Sequence, residues 1–176
     1  MPRVYVAIGG NIGEVKDNLA RAVMAVDSLY STKVTGVSHL YETAPVGGPA
    51  GQPVFLNGAI EVETGLSPRE LLTALLEIER SLGRVREVVD GPRTVDLDVI
   101  LWDGEIVEEA DLVIPHPRMH KRGFVLVPLE ELAGDSIHPI LKKSISAILA
   151  DLDDPGGVER HKGSFSPISE LEKGKM

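Results

Sequence analysis

The sequence contains no cysteine, only three phenylalanines, three tyrosines and one tryptophan, and fewer cations than anions: 18 Lys+Arg against 27 Asp+Glu, a net charge of −9 with histidines neutral. Each scarcity excludes something. Without cysteine there is no disulfide framework, thiolate zinc site, iron–sulfur cluster or cysteine nucleophile, and the chain suits a reducing compartment. No uninterrupted apolar run approaches the ~18–20 residues that a membrane helix needs. Met1-Pro2-Arg3 runs straight into the strand-like Val4–Ile8 and then Gly9-Gly10, too short for the apolar stretch of a signal peptide. The negative balance argues against a nucleic-acid backbone as partner, which demands a positive footprint. It leaves room for a local basic pocket facing a phosphorylated small molecule. A soluble, cytoplasmic protein that binds neither membrane nor nucleic acid is expected.

What is present is one domain's worth of chain. A length of 176 residues with 43% apolar content buries roughly two-thirds of its unfolded surface without needing a metal or a partner. Val4–Ile8 reads as a buried strand stopped by glycines, and Val15, Leu19, Ala22, Val23, Val26 and Leu29 follow one helical face. Lys33–Tyr41 reads as a second strand and Phe55–Val62 as a third, separated by a Gly/Pro-rich loop from Thr43 to Pro53. Loops of this length are often lids or binding loops. Ser67-Pro68-Arg69-Glu70 is a capping box with proline at the first helical position, opening a helix that ends at Gly83. Val95–Trp102 is a fourth strand, with Ile106 and Leu112–Ile114 as short edge strands around the Asp103-Gly104 turn. Helices are expected over Phe124–Leu132 and Ser144–Leu152, and residues 153–176 form a polar tail, extended or flexible, beyond a single domain at 1–152. The element order predicts an α+β sandwich with helices on one face of a largely antiparallel sheet, the ferredoxin-like arrangement. That fold hosts many functions, so function has to come from a site.

The informative segment is Gly91-Pro92-Arg93-Thr94-Val95-Asp96-Leu97-Asp98-Val99-Ile100. Positions i and i+2 of a strand point the same way, so Asp96 and Asp98 project together at about 6.5–7 Å while Val95, Leu97 and Val99 pack behind. Hard oxygen donors side by side suit Mg²⁺; a solvated strand face near a sheet edge is the other reading of the pair alone. Arg84, Arg86 and Arg93 precede the pair, and Arg118, His120, Lys121 and Arg122 follow Pro115-His116-Pro117. Cations of this density beside two carboxylates, in an acidic chain, suggest a polyphosphate with its magnesium. Gly9-Gly10-Asn11-Ile12-Gly13 lacks the spacing of a Walker or dinucleotide-binding loop.

Five ordered blocks carry a resemblance. They are Ala7-Ile8-Gly9 with Asn11, Tyr41-Glu42-Thr43 with Pro45, Phe55-Leu56-Asn57, Glu79 before Gly83-Arg84-Val85-Arg86, and Pro115-His116 with Arg122-Gly123-Phe124. With Gly-Pro-Arg-Thr-Val-Asp-Leu-Asp-Val-Ile at 91–100, the chain resembles the 6-hydroxymethyl-7,8-dihydropterin pyrophosphokinase family of folate biosynthesis over roughly residues 3 to 135. The resemblance implies a ferredoxin-like fold and transfer of the pyrophosphoryl group of ATP to the hydroxymethyl group of the pterin, leaving AMP. It implies two Mg²⁺ ions, held by Asp96 and Asp98, and Arg84, Arg86 and Arg93 as catalytic cations. ATP would meet Arg84, Arg93, Val99, Leu112, His116 and Arg122. The pterin would lie in a pocket of Thr43, Ala44, Val46, Phe55, Asn57 and Phe124, sandwiched between the two phenylalanines. The partners would be these two small molecules, and a monomer is favoured. Some positions depart from the family pattern. Val89 and Asp90 stand where a basic residue and then often an aromatic precede Gly-Pro-Arg, the 84–93 loop is one residue shorter, and Pro117 stands where an aromatic often follows the histidine. A catalytically impaired relative and a ferredoxin-like nucleotide- or RNA-binding module are the alternatives. The second would expose stacking aromatics where this strand has aspartates.

Overall fold

The computed structural model describes residues 1–44, 54–83, 94–153 and 156–168. The fold is built outward from β1 (Arg3–Gly10), whose Val4, Val6 and Ile8 point to one face and Tyr5, Ala7 and Gly9 to the other. On one side β1 pairs antiparallel with β4 (Phe55–Thr64) along its whole length, Arg3 opposite Glu63 and Gly10 opposite Leu56. On the other it pairs with β5 (Asp96–Trp102). The far side of β4 is shared: β2 (Thr32–Val37) takes its C-terminal half and β3 (Tyr41–Thr43) its N-terminal half.

Each face of this sheet is covered by helices. Val4, Val6, Ile8, Ile60, Val62, Leu97 and Val99 join Leu19, Val23 and Val26 of α1 (Val15–Asp27) and Leu71 and Leu75 of α2 (Pro68–Ser81) in one apolar cluster. Tyr5, Ile100 and Leu101 form a second cluster with Leu126 and Leu129 of α3 (Gly123–Ala133) and Ile145 and Ile148 of α4 (Ile145–Ala150). The expectation of helices on one face only is thus corrected. The strands carry apolar residues on both faces, and both have to be shielded from water. The capping box forms as the sequence predicts: Ser67 Oγ accepts from the Glu70 N–H, and the Glu70 carboxylate accepts from the Ser67 N–H.

Of three other details, the first two depart from the sequence reading and the third adds to it. The second strand is two, because buried Ser38 accepts the Ala59 N–H on its own hydroxyl at 2.9 Å and bends the chain between β2 and β3. The segments after the Asp103-Gly104 turn, β6 (Val107–Glu109) and β7 (Leu112–Ile114), pair with each other as a separate hairpin rather than at the sheet edge. Within the polar tail, β8 (Glu159–Arg160) adds to the outer edge of β3, and the His161 N–H donates to the Leu40 carbonyl at 2.8 Å. Further on, Phe165 and Ile168 pack against the α1/α2 cluster. Among the described residues no helix is long and apolar enough to cross a membrane.

The tail contacts have a measurable consequence. Two half-buried apolar side chains contribute on the order of 2 kcal/mol. Deleting residues 156–176 should therefore lower the melting temperature by about 4–8 °C, at about 2–4 °C per kcal/mol for a chain of this size. Thermal unfolding of the truncated chain tests this, and an unchanged midpoint would show that the contacts do not contribute.

Candidate active site

Beyond the area that α3 and α4 cover, the second face of the sheet turns polar. Asp96 lies opposite Gly9, Gly9 opposite Asn57, and Asn57 opposite Tyr41, so these four residues form one row across four strands. The next row toward the covered end holds Asp98, Ala7 and Ala59. Asp96 and Asp98 therefore share a face flanked by Gly9 and Ala7, with Asp98 exposed and Asp96 half-buried. Asn57 Nδ2 donates to Thr43 Oγ1 at 2.7 Å across the β3–β4 pair, and Phe55, opposite Thr43, lies on the same face as Asn57. Ala44 is exposed at the end of β3.

The carboxylate pair is held from behind. Glu79, at the C-terminal end of α2, is only 1% exposed, and its Oε2 accepts the N–H of Leu97 at 2.8 Å. A carboxylate in such a place is costly unless hydrogen-bonded, and this bond anchors β5 midway between the two aspartates. Although Glu79 appears in one of the matching blocks, it is absent from the site residues that the sequence singles out. Its signal is a charged residue on the apolar stripe of Leu71, Leu75 and Ile78.

His116 reaches the same region from the loop after β7. Ile100 sits at the point where the β1–β5 register shifts, and its carbonyl accepts the His116 N–H at 2.9 Å; such irregularities re-aim neighbouring groups. The ring Nδ1 accepts the Arg118 N–H at 3.2 Å, so the neutral ring carries its proton on Nε2. Burial, followed by the nearby charges of Arg122 and Arg118, pushes its pKa down to about 4. At neutral pH the group is an uncharged donor suited to a phosphate oxygen. Two residues after Arg122, Phe124 opens α3, and the guanidinium carbon of Arg122 stands 5.5 Å from the Phe124 ring centre, within cation–π range.

A further cluster ties β3 to α3. The Tyr41 hydroxyl and the His39 N–H both donate to the Glu131 carboxylate, and Arg160 of β8 contacts His39. Burial and the Glu131 carboxylate push the Tyr41 pKa up to about 12. The strands that carry Thr43 and Phe55 are thereby fastened to the helix that carries Phe124.

Not every residue predicted for the site stands on this face. Val99 and Leu112 pack into the α1/α2 cluster on the opposite side. Arg84, Arg86, Arg93 and Val46 lie outside the described residues.

A family model, 7,8-dihydro-6-hydroxymethylpterin-pyrophosphokinase (HPPK), matches residues 5–134. The chain belongs to this family. An HPPK of Bacillus subtilis, by name a 2-amino-4-hydroxy-6-hydroxymethyldihydropteridine pyrophosphokinase, is 48% identical over 128 residues, 73% of this chain and 76% of its own length. The protein of that name in Methylorubrum extorquens is 42% identical over 160 residues, 91% of this chain and 99% of its own. Among solved structures, an HPPK-DHPS in complex with substrates matches with a TM-score of 0.65 at 13% identity, over 85% of this chain. The chain spans 43% of that longer one, and at this identity the likeness speaks for the fold, the ferredoxin-like α/β arrangement of HPPK domains. The Asp96 row presents aspartate, glycine and asparagine on β5, β1 and β4, where an RNA-binding sheet would expose stacking aromatics, and its one aromatic, Tyr41 on β3, is tied by its hydroxyl to Glu131.

The state of His116 can be checked directly. Because the folded pKa is depressed, the fold favours the neutral ring. The stability it carries is complete above about pH 6.5 and is lost as the pH falls through about 4. An NMR titration of the ligand-free protein should put the His116 midpoint well below 6 and raise it when a nucleotide triphosphate binds; a midpoint at or above 6.5 would contradict the buried, cation-flanked environment.

Proposed function

We propose that this chain transfers the pyrophosphoryl group of ATP to 6-hydroxymethyl-7,8-dihydropterin, as a Mg²⁺-dependent, monomeric enzyme of the cytoplasm. The hydroxymethyl oxygen attacks the β-phosphorus, the bond from that phosphorus to the α,β-bridging oxygen breaks, AMP leaves, and the hydroxyl proton is lost to solvent. The observation that carries the reading is the row Asp96–Gly9–Asn57, where a metal-binding type of residue and a ring-edge-reading type stand one strand apart on either side of β1.

The donor set fits magnesium bound together with a nucleotide. Two carboxylates on one face, flanked by Gly9 and Ala7, supply hard oxygens, Asp98 exposed and Asp96 half-buried. Among the described residues no group of three or more His, Asp or Glu forms a ready-made cage, so the remaining ligands would come from phosphate oxygens and water, as Mg²⁺ prefers. Asp96 and Asp98 would hold two such ions. When bound, the metal neutralises triphosphate charge and polarises its oxygens. Arg84, Arg86 and Arg93 would clamp phosphates with Arg122, and His116 would donate from Nε2. Transfer of this kind is mostly positioning and charge compensation, so no strong base is required.

Adenine would lie along β5, which ends the sheet. The Leu97 N–H points outward from that edge to Glu79, and the backbone of Val99, two residues on, faces the same way. Adenine recognition would therefore use backbone groups there and at Leu112, since both side chains face the core. The pterin would stack between Phe55 and Phe124, its amide edge read by Asn57 and its surroundings completed by Thr43, Ala44 and Val46.

Production of AMP from ATP and Mg²⁺ should depend on the pterin and fall about 10³-fold in Asp96→Ala or Asp98→Ala, on the scale of lost transition-state charge stabilisation, with the fold intact. Near-normal turnover in either variant would remove the metal assignment. Asn57→Ala should weaken pterin binding by about 10- to 100-fold, the cost of leaving a buried polar edge without its partner, while ATP affinity stays the same. Equal losses for both substrates in calorimetry would place the pterin elsewhere.

A further inference from the structure

Gly9 is a glycine that the backbone does not require. It lies inside β1, opposite Asn57 on one side and Asp96 on the other, and it is absent from the glycines with positive φ. Glycine inside a strand gives up packing and chain entropy, and it often marks a place where another group comes close. Here the group is identifiable. A Cβ built on Gly9 would stand 2.7 Å from Asn57 Oδ1, with the Leu56 carbonyl oxygen at 3.3 Å and Asn57 Cγ at 3.7 Å.

The carboxamide of Asn57 is thus held at both ends. Its Nδ2 is fixed by the 2.7 Å bond to Thr43 Oγ1, and its Oδ1 rests above the bare α-carbon of Gly9. We infer that Gly9 is a positioning residue for the acceptor half of the site: its missing side chain is the berth that lets Asn57 lie flat and present Oδ1 to the ring edge of the pterin. The inference rests on the reading of Asn57 as a pterin-binding residue and adds to it the reason its amide has one orientation. With one of its two Nδ2 hydrogens committed to Thr43, the amide is kept from flipping and its acceptor Oδ1 stays on the Gly9 side, so this part of the pocket favours a heterocycle that offers an N–H donor there.

The colliding atom is the end of a side chain, so an alanine at position 9 can be accommodated by swinging the Asn57 amide away. Gly9→Ala should accordingly fold and keep ATP–Mg²⁺ affinity within about twofold, while 6-hydroxymethyl-7,8-dihydropterin binds about tenfold more weakly, the scale of one displaced hydrogen-bonding group. The decisive comparison is a double-variant cycle by calorimetry. In an Asn57→Ala background, Gly9→Ala should add less than about twofold, because the group it displaces is already gone.

Pterin affinity unchanged in Gly9→Ala but lost in Asn57→Ala would overturn the inference and leave the pocket assignment standing. Equal, fully additive losses would also overturn it, because Gly9 would then act by some route other than Asn57. If Asn57→Ala itself left pterin binding unaltered, the pocket reading would fail and the inference with it. Should Gly9→Ala not fold, the combined Gly9→Ala/Asn57→Gly variant, which lacks the colliding amide, must fold, and its failure to do so would overturn the steric account.

Discussion

The structure depends on the register of β1 between β4 and β5. Side chains alternate with a period of two, so a slip of one residue on either side would turn Asp96, Asp98 and Asn57 into the apolar cluster and bring Leu56, Leu97 and Val99 to the open face. Burial sets that register on both sides, because Val4, Val6 and Ile8 are all fully covered while Ile60, Val62 and Leu97 flank them. The hydrogen bond from Leu97 N–H to Glu79 adds a polar lock at the free edge of β5. A buried carboxylate is an expensive means of fixing a strand, and its position between two aspartates explains why an apolar residue would not serve.

The same sheet separates the two kinds of recognition that the proposed reaction needs. Under that proposal, charge handling would fall to β5 and the segment after β7, which carry Asp96, Asp98, the neutral His116 and Arg122. Ring recognition would fall to β3, β4 and the start of α3, where Tyr41 and His39 tie β3 to α3 through Glu131. Strand β1 joins the two halves and contributes almost no side chain between them, only Gly9 and Ala7. The arrangement suits a transfer in which positioning and charge compensation carry the chemistry.

Much of this was legible in the sequence where local rules apply. Ser67, Pro68 and Glu70 announce α2 through a capping pattern confined to four residues, and Asp96-Leu97-Asp98 announces two carboxylates on one face through strand periodicity alone. The ordered blocks around Asn57, His116 and Phe124 announced the family. What stayed hidden depends on partners distant in the chain. Ser38 divides a strand by bonding Ala59, Glu131 reaches Tyr41 across 90 positions, and β8 finds β3 through backbone pairing that leaves no composition signal. Helices on both faces follow from Tyr5 and Ala7 being covered as well as Val4 and Val6, which alternation within a single strand cannot distinguish from one exposed side. In the sequence Gly9 reads as one of the glycines that stop the first strand, and only the cross-strand register shows Asn57 beside it.

The central claim is that Asp96 and Asp98 bind divalent ions jointly with the nucleotide. Electron paramagnetic resonance of Mn²⁺, used in place of Mg²⁺ and titrated with a non-hydrolysable ATP analogue, counts the ions held. The account predicts about two bound ions per chain with the nucleotide, in line with paired-metal transfer sites, few without it, and loss of both in the Asp96→Asn/Asp98→Asn chain. Undiminished binding in that double variant, with the nucleotide still bound, would contradict it.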